Sequence, residues 1–167
     1  MGLSLVLGPA HAGKVALLLE RYLEAYDRDP WLVVPNRADV ERVERDLLRR
    51  RPALTAGRIG TFDDLFAYVA SGHADARPLL SEPQALLALR RAVARAELDE
   101  LAASAGSAGF VETLLATLAE LDSALLEPGR LDGDLERLAR AYRDELAALD
   151  RWDRGSVRRA AVERLAD

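Results

Sequence analysis

The chain has 167 residues, half of them apolar and 31% charged, which suits one domain or two small lobes with a buried core of their own. Its formal charge of −5 excludes blanket nucleic-acid binding through excess positive charge and leaves only local basic patches. The absence of cysteine excludes disulfides, thiolate metal sites and a cysteine nucleophile.

Two histidines, His11 and His73, are too few and too far apart for a zinc site, so no metal ligands and no catalytic residues are assigned. No apolar run approaches the roughly 18 residues that a membrane helix needs. There is also no basic, then apolar, then small-residue leader pattern at the start. The expectation is a cytoplasmic protein without membrane partners.

In chain order, "LSLVL" at 3–7 predicts a short buried strand that ends at Gly8. The loop Gly8-Pro9-Ala10-His11-Ala12-Gly13-Lys14 follows, and then Val15, Leu18, Leu19, Tyr22, Leu23 and Tyr26 recur with the period of a helix that has one apolar face. Strand, glycine loop and helix in that order are the context of a phosphate-binding G-x-x-x-x-G-K-[ST] loop. There, backbone N–H groups and the lysine ammonium converge on phosphate oxygens. Lys14 is the only lysine among the 23 basic residues, so a chain that otherwise uses arginine places its one compact ammonium at the position where such a loop requires it. Val15 replaces the hydroxyl that would hold Mg²⁺. No later strand ends in the paired acids of a Walker B, so nucleotide-phosphate binding over Gly8–Val15 is expected without efficient turnover.

A second strand is predicted at Trp31-Leu32-Val33-Val34, stopped by Pro35, and a helix from about 37 to 50 carries Val40, Val43 and Leu47 on one side. Arginines and acids alternate along it, as on a solvated ion-paired face, and Asn36 and Arg37 at its start are alternatively contacts for a nucleic-acid backbone. "GRIG" at 57–60 reads as a third strand leading into "TFDDLFAYVA". In that helix start Thr61 and Phe62 are either a hydroxyl for a phosphate and a ring for a base, or a cap and a core residue. Asp63 and Asp64 fit the first turn as capping acids better than as metal ligands.

From Ser81 onward only helical periods occur, at about 81–100, 107–126, 131–150 and 155–166, with "ASAGSAG" at 103–109 as a flexible connection. The expected architecture is therefore α/β, a partial parallel sheet of about three strands over 1–75, followed by an all-helical lobe over 76–167.

These stretches together resemble the first half of the motor core of superfamily 1 helicases of the UvrD/Rep type. "LGPAHAGKVALLLERY" is similar to their phosphate loop, "WLVVPNRADVERVERDLL" to motif Ia, "RIGTFDDLFAYVA" to the "GTFHS"-like motif that touches single-stranded DNA, and the helical remainder to their 1B lobe. The start directly at the first strand and the "VPNR" in motif Ia are similar to the B subunit of AddAB-type helicase-nucleases, whose far end bears a PD-(D/E)XK nuclease with an iron–sulfur cluster. The resemblance implies a P-loop NTPase (RecA-like) fold for the α/β lobe. It also implies that this is an N-terminal fragment of a DNA double-strand-break repair subunit. On that basis the site binds ATP weakly, with Mg²⁺ coordination compromised by Val15, and Asn36, Arg37, Thr61 and Phe62 contact single-stranded or duplex-end DNA. Its partners would be the remainder of a parent chain and a separate motor helicase-nuclease subunit. Read without the resemblance, the same residues also admit a small P-loop phosphotransferase such as a nucleoside or metabolite kinase, or a nucleotide-independent helical interaction module.

Overall fold

A computed structural model describes residues 2–166. Most of these residues are helical, and the sheet is small, with two parallel strands. The chain divides into two units, Met1–Leu65 and Phe66–Asp167, with the division falling inside a helix.

The first unit contains α1 (Lys14–Glu24), β1 (Trp31–Val33), α2 (Arg37–Leu48), β2 (Arg58–Gly60) and the start of α3 (Phe62–Ala70). β1 and β2 pair in parallel with Trp31 opposite Arg58, Leu32 opposite Ile59 and Val33 opposite Gly60, so the β1–α2–β2 segment is a β-α-β crossover. Pro35 and Asn36 end the strand and open the helix, and α2 then turns Val40, Val43 and Leu47 inward. These three pack with Leu19 and Tyr22 of α1 and with Tyr26 and Val34, and Leu47 is fully buried. Burying a leucine of that size contributes about 1.5–3 kcal/mol, so this small cluster is the chief support of the unit.

The predicted strand over 3–7 is not formed, and the sheet has two strands rather than three. Leu3, Leu5 and Leu7 stand 99%, 78% and 81% exposed. An interior parallel strand needs ladder partners on its edges and cover on both faces, and such partners and cover are not supplied to 3–7 among the described residues. The apolar face expected for α1 is corrected for the same reason, because Leu19 and Tyr22 are buried while Val15 and Leu18 remain exposed.

The second unit is helical: α4 (Glu82–Arg95), the single turn α5 (Ala102–Ala105), α6 (Phe110–Ser123), α7 (Gly133–Ala148) and α8 (Arg154–Ala166). Leu89 of α4, Leu114 and Leu118 of α6, and Leu138, Tyr142 and Leu146 of α7 form its core. A satellite cluster joins α3 to α8 through Ala70, Ala160 and Ala161, flanked by Phe66, Val69, Trp152 and Val157. Such small residues let two helices approach closely.

α4 starts where Ser81 donates its backbone N–H to Gln84 Oε1 at 2.9 Å, and Pro83 occupies its first turn. It ends at Arg95 and not near 100, because Ala96 turns extended and the chain beyond is gripped by α7. The buried Asp134 carboxylate accepts the N–H groups of Asp99 (3.0 Å) and Leu101 (2.8 Å). A second buried acid of α7, Glu145, pairs with Arg91 and Arg95 of α4. The stretch expected to be a flexible connection at 103–109 instead holds most of α5. Ser104 accepts from the Ser107 N–H, and Gly109 at φ 86° opens α6.

Candidate functional site

Gly8–Val15 forms a turn that winds into α1. His11 adopts φ 61° and Gly13 φ 80°, the left-handed region that glycine enters freely and histidine more readily than most residues. Gly13 is thus the residue that turns the chain into the helix, whose first residue is Lys14. The Ala12 N–H reaches the Pro9 carbonyl at 3.4 Å, and the Leu17 N–H the Gly13 carbonyl at 3.1 Å. The Lys14 side chain folds back into the loop and donates to the Gly8 carbonyl at 2.7 Å and the Pro9 carbonyl at 2.5 Å.

An ammonium carries three donors, so two are held by the loop and one remains to meet an anion. The first turn of α1 carries no acidic residue, which leaves the positive end of the helix dipole unopposed. Val15 is 61% exposed at this mouth and offers no oxygen. The residues therefore fit a phosphate and do not fit the usual Mg²⁺ at that position. Among the described residues there is no group of three or more His, Asp or Glu side chains suited to holding a metal ion.

The four other candidates lie at the ends of the strands. Because β1 and β2 are parallel, α2 and α3 both start from the same edge of the sheet, the carboxyl end where α/β proteins bind ligands. The Val34 N–H closes that edge on the Gly60 carbonyl at 2.9 Å. Asn36 is the N-cap of α2: its Oδ1 accepts the Asp39 N–H at 3.0 Å while its Nδ2 donates to Asp39 Oδ2 at 2.8 Å.

Thr61 caps α3 through Asp64. The Thr61 N–H (2.8 Å) and Oγ1–H (3.0 Å) both donate to Asp64 Oδ2, and the Asp64 N–H returns to Thr61 Oγ1 at 3.4 Å. The Arg37 guanidinium lies 3.9 Å from the same carboxylate oxygen. Donation from the Thr61 backbone and hydroxyl, with the Arg37 charge adding to it, holds the Asp64 carboxyl below the usual range. Phe62 presents a ring that is largely exposed.

Arg37 and Thr61 are thus brought together, 24 positions apart in sequence, by an acid that sequence reasoning assigned only to a cap. The T-x-x-D spacing of Thr61 and Asp64 carries the capping signal. The tie to Arg37 depends on the parallel pairing of two strands and has no local signature. Asp64 takes from Thr61 and Arg37 the donors that a phosphate group would take, so the same three groups form either a closed internal network or an anion site.

No family model matches the chain. The B subunit of the ATP-dependent helicase/deoxyribonuclease of Moorella thermoacetica is 36% identical to it over 156 residues, which cover 87% of this chain. The chain spans only 13% of that relative's length. Over most of its own length, the chain is therefore similar to a small part of a helicase-nuclease subunit.

Proposed function

We propose that this chain is a helicase-like segment of a DNA-repair helicase-nuclease subunit, in which Gly8–Lys14 holds a nucleotide phosphate weakly and the edge bearing Asn36, Arg37, Thr61 and Phe62 contacts single-stranded DNA. The observation that carries the reading is the 36% identity over 156 residues to the B subunit of a helicase/deoxyribonuclease. In support, the glycine loop turns its only lysine inward, leaving one N–H for an anion, and two further helix starts share one edge of the sheet.

The nucleotide is ATP, bound without turnover, because Val15 brings no ligand to Mg²⁺ where charge develops during phosphoryl transfer. At the DNA edge, Arg37 pairs with a backbone phosphate, and Phe62 supplies a face on which a base stacks, worth about 1–3 kcal/mol per base in such sites. The partners are DNA, the remainder of a longer subunit and a separate ATP-driven motor. No helix among the described residues is long and apolar enough to cross a membrane.

The test is a fluorescent ATP titration with and without Mg²⁺, beside a titration of labelled single-stranded DNA over a series of salt concentrations. The expected result is weak nucleotide binding that hardly depends on Mg²⁺, salt-sensitive DNA binding and no phosphate release. Tight Mg²⁺-dependent nucleotide binding would instead favour a phosphotransferase, and binding of neither ligand a helical interaction module.

A further inference from the structure

The first core residue of the α/β unit is Leu19, and the apolar side chains ahead of it are left largely uncovered. Leu3, Leu5 and Leu7 alternate along their segment and stand exposed, and Val15 and Leu18 at the start of α1 are exposed as well. Among the described residues, the backbone groups of 3–7 make no hydrogen bond. Residues 1–13 contain no Asp, Glu, Lys or Arg, so the segment lacks the charges with which proteins keep an unpaired strand from joining another chain.

The sheet of the same unit has the complementary need. In the parallel ladder the Arg58 N–H reaches the Pro30 carbonyl at 2.7 Å and the Val34 N–H reaches the Gly60 carbonyl at 2.9 Å. Alternate residues therefore bond across the pair, and Val33 of β1 and Ile59 of β2 turn their backbone groups outward, where neither has a backbone partner among the described residues. The two edges differ. Beside Ile59 the flanking N–H groups are already spent, Gly57 on the Asp29 carboxylate at 3.0 Å and Thr61 on Asp64 at 2.8 Å. The β1 edge runs through Trp31-Leu32-Val33-Val34 and carries no charged residue.

Within one copy these two halves do not meet. The turn before α1 is set by the left-handed His11 and Gly13 and by the Lys14 ammonium on the Gly8 and Pro9 carbonyls, and on the course it imposes 3–7 joins neither edge. A second copy approaches without that tether and brings both the same segment and the same edge. A third strand also brings the sheet to the size at which sheets become stable by themselves.

We propose that residues 3–7 add as a strand to the β1 edge of a second copy of this chain, which returns its own 3–7 in exchange, so that two copies close into a dimer. Main-chain hydrogen bonds to the outward groups of Val33 hold the added strand, and Leu3, Leu5 and Leu7 lose their exposure against the partner. Neither nucleotide nor DNA is needed for this pairing.

The test is sedimentation velocity of the 167-residue chain over a dilution series, beside ¹H–¹⁵N spectra of a ¹⁵N-labelled chain mixed with an unlabelled one that carries a nitroxide at Gly2→Cys. That position has open space around it, and the chain has no cysteine of its own, so the label is unique. A concentration-dependent step from monomer to dimer is expected, with broadening of the Leu32, Val33 and Val34 amides in the labelled copy. Alternate N–H groups of a strand face its neighbour, so Leu5→Pro together with Val6→Pro removes an inward donor in either register and is expected to weaken the dimer about tenfold or more. Leu3→Ser with Leu7→Ser is expected to do the same by removing the apolar face, again about tenfold or more. Both double variants should keep the circular dichroism of the monomer, because 3–7 lies outside every helix, strand and core cluster. A dimer that either double variant leaves intact, growth into open-ended oligomers, or no broadening along β1 overturns the proposal. So does a monomer at every concentration, which would leave the edge to another partner such as the remaining length of a longer subunit.

Discussion

Replacing Lys14 by alanine removes two contacts within the loop and, if the proposed nucleotide site is right, a third toward a phosphate, and these losses have different consequences. The Gly8 and Pro9 carbonyls that Lys14 holds at 2.7 and 2.5 Å belong to exposed residues, so water replaces the ammonium when it is lost. The stability change is therefore expected within about 0.5 kcal/mol, as for surface substitutions generally. In the proposed site the third N–H meets a phosphate oxygen, and a hydrogen bond to a charged partner is worth about 1.5–3 kcal/mol. At about 1.4 kcal/mol per tenfold, Lys14→Ala should weaken nucleotide binding roughly ten- to a hundredfold. Lys14→Arg should not restore it, because a planar fork does not reproduce a compact ammonium held by two carbonyls of one tight turn. The assay is fluorescence anisotropy of a labelled ATP analogue, with thermal melts followed by circular dichroism alongside. Unchanged affinity in Lys14→Ala refutes the reasoning. So does a loss of affinity matched by a large fall in Tm, which would mean that the lysine holds the loop together and does not meet the ligand.

At the other edge, Asp64→Asn keeps a group that caps Thr61 but removes the negative charge from beside Arg37. Single-stranded DNA affinity at low salt should rise about two- to fivefold, in keeping with the small worth of exposed charge pairs, and a fall in affinity in the binding isotherm would contradict an anion site at this edge. Asp134 tests the acid limb of stability. The Leu101 and Asp99 N–H groups, with Arg137 adding its charge, hold its pKa below the ordinary value. Its contribution is thus present above the unfolded carboxyl pKa of about 3.9 and lost as pH falls through the lower folded value. Asp134→Asn should therefore lower Tm at pH 7, and the gap to the parent should close below about pH 4; a gap independent of pH would assign the loss to packing. Leu138, with 0% exposure at the centre of the helical core, gives the control for that unit. Leu138→Ala should cost about 2–5 kcal/mol and lower Tm by roughly 10 °C or more, whereas a shift of a degree or two would show that the core can collapse around the cavity.

The elements legible in the sequence are those whose causes are local. Pro35 follows the apolar run that forms β1, and Gly57 precedes the short segment that pairs with it as β2. Asn36, Thr61 and Ser81 stand at three helix starts where a side-chain or backbone cap is made, and Val40, Val43 and Leu47 face inward at the helical period. "LSLVL" has an equally apolar local pattern yet forms no strand, because pairing is a property of neighbours and not of the run itself. Val15 and Leu18 fail as core residues for the same reason: the 3.6-residue period shows that a face exists, and only a packed neighbour decides whether it is buried.

The same distinction separates the parts of the two candidate sites. A lysine after a second glycine is readable at a glance because the glycine loop is one continuous segment, and in the structure its ammonium donates to the loop's own carbonyls. The meeting of Arg37 with Thr61 through Asp64 is not readable, since it needs the parallel register that sets Val33 opposite Gly60. Still less so is the convergence of Asp122, Tyr142 and Gly155, which three separate helices bring to one cleft. Tyr142 obeys the apolar period of α7 and reads as a core ring, and in packing terms it is one. What distinguishes it is the hydroxyl at its tip, buried beside the Asp153 and Asp122 carboxylates. That setting follows from how α6 and α7 pack and from a glycine at the start of α8, because the period of a helix assigns a ring to the core and says nothing of the polar group the ring carries there.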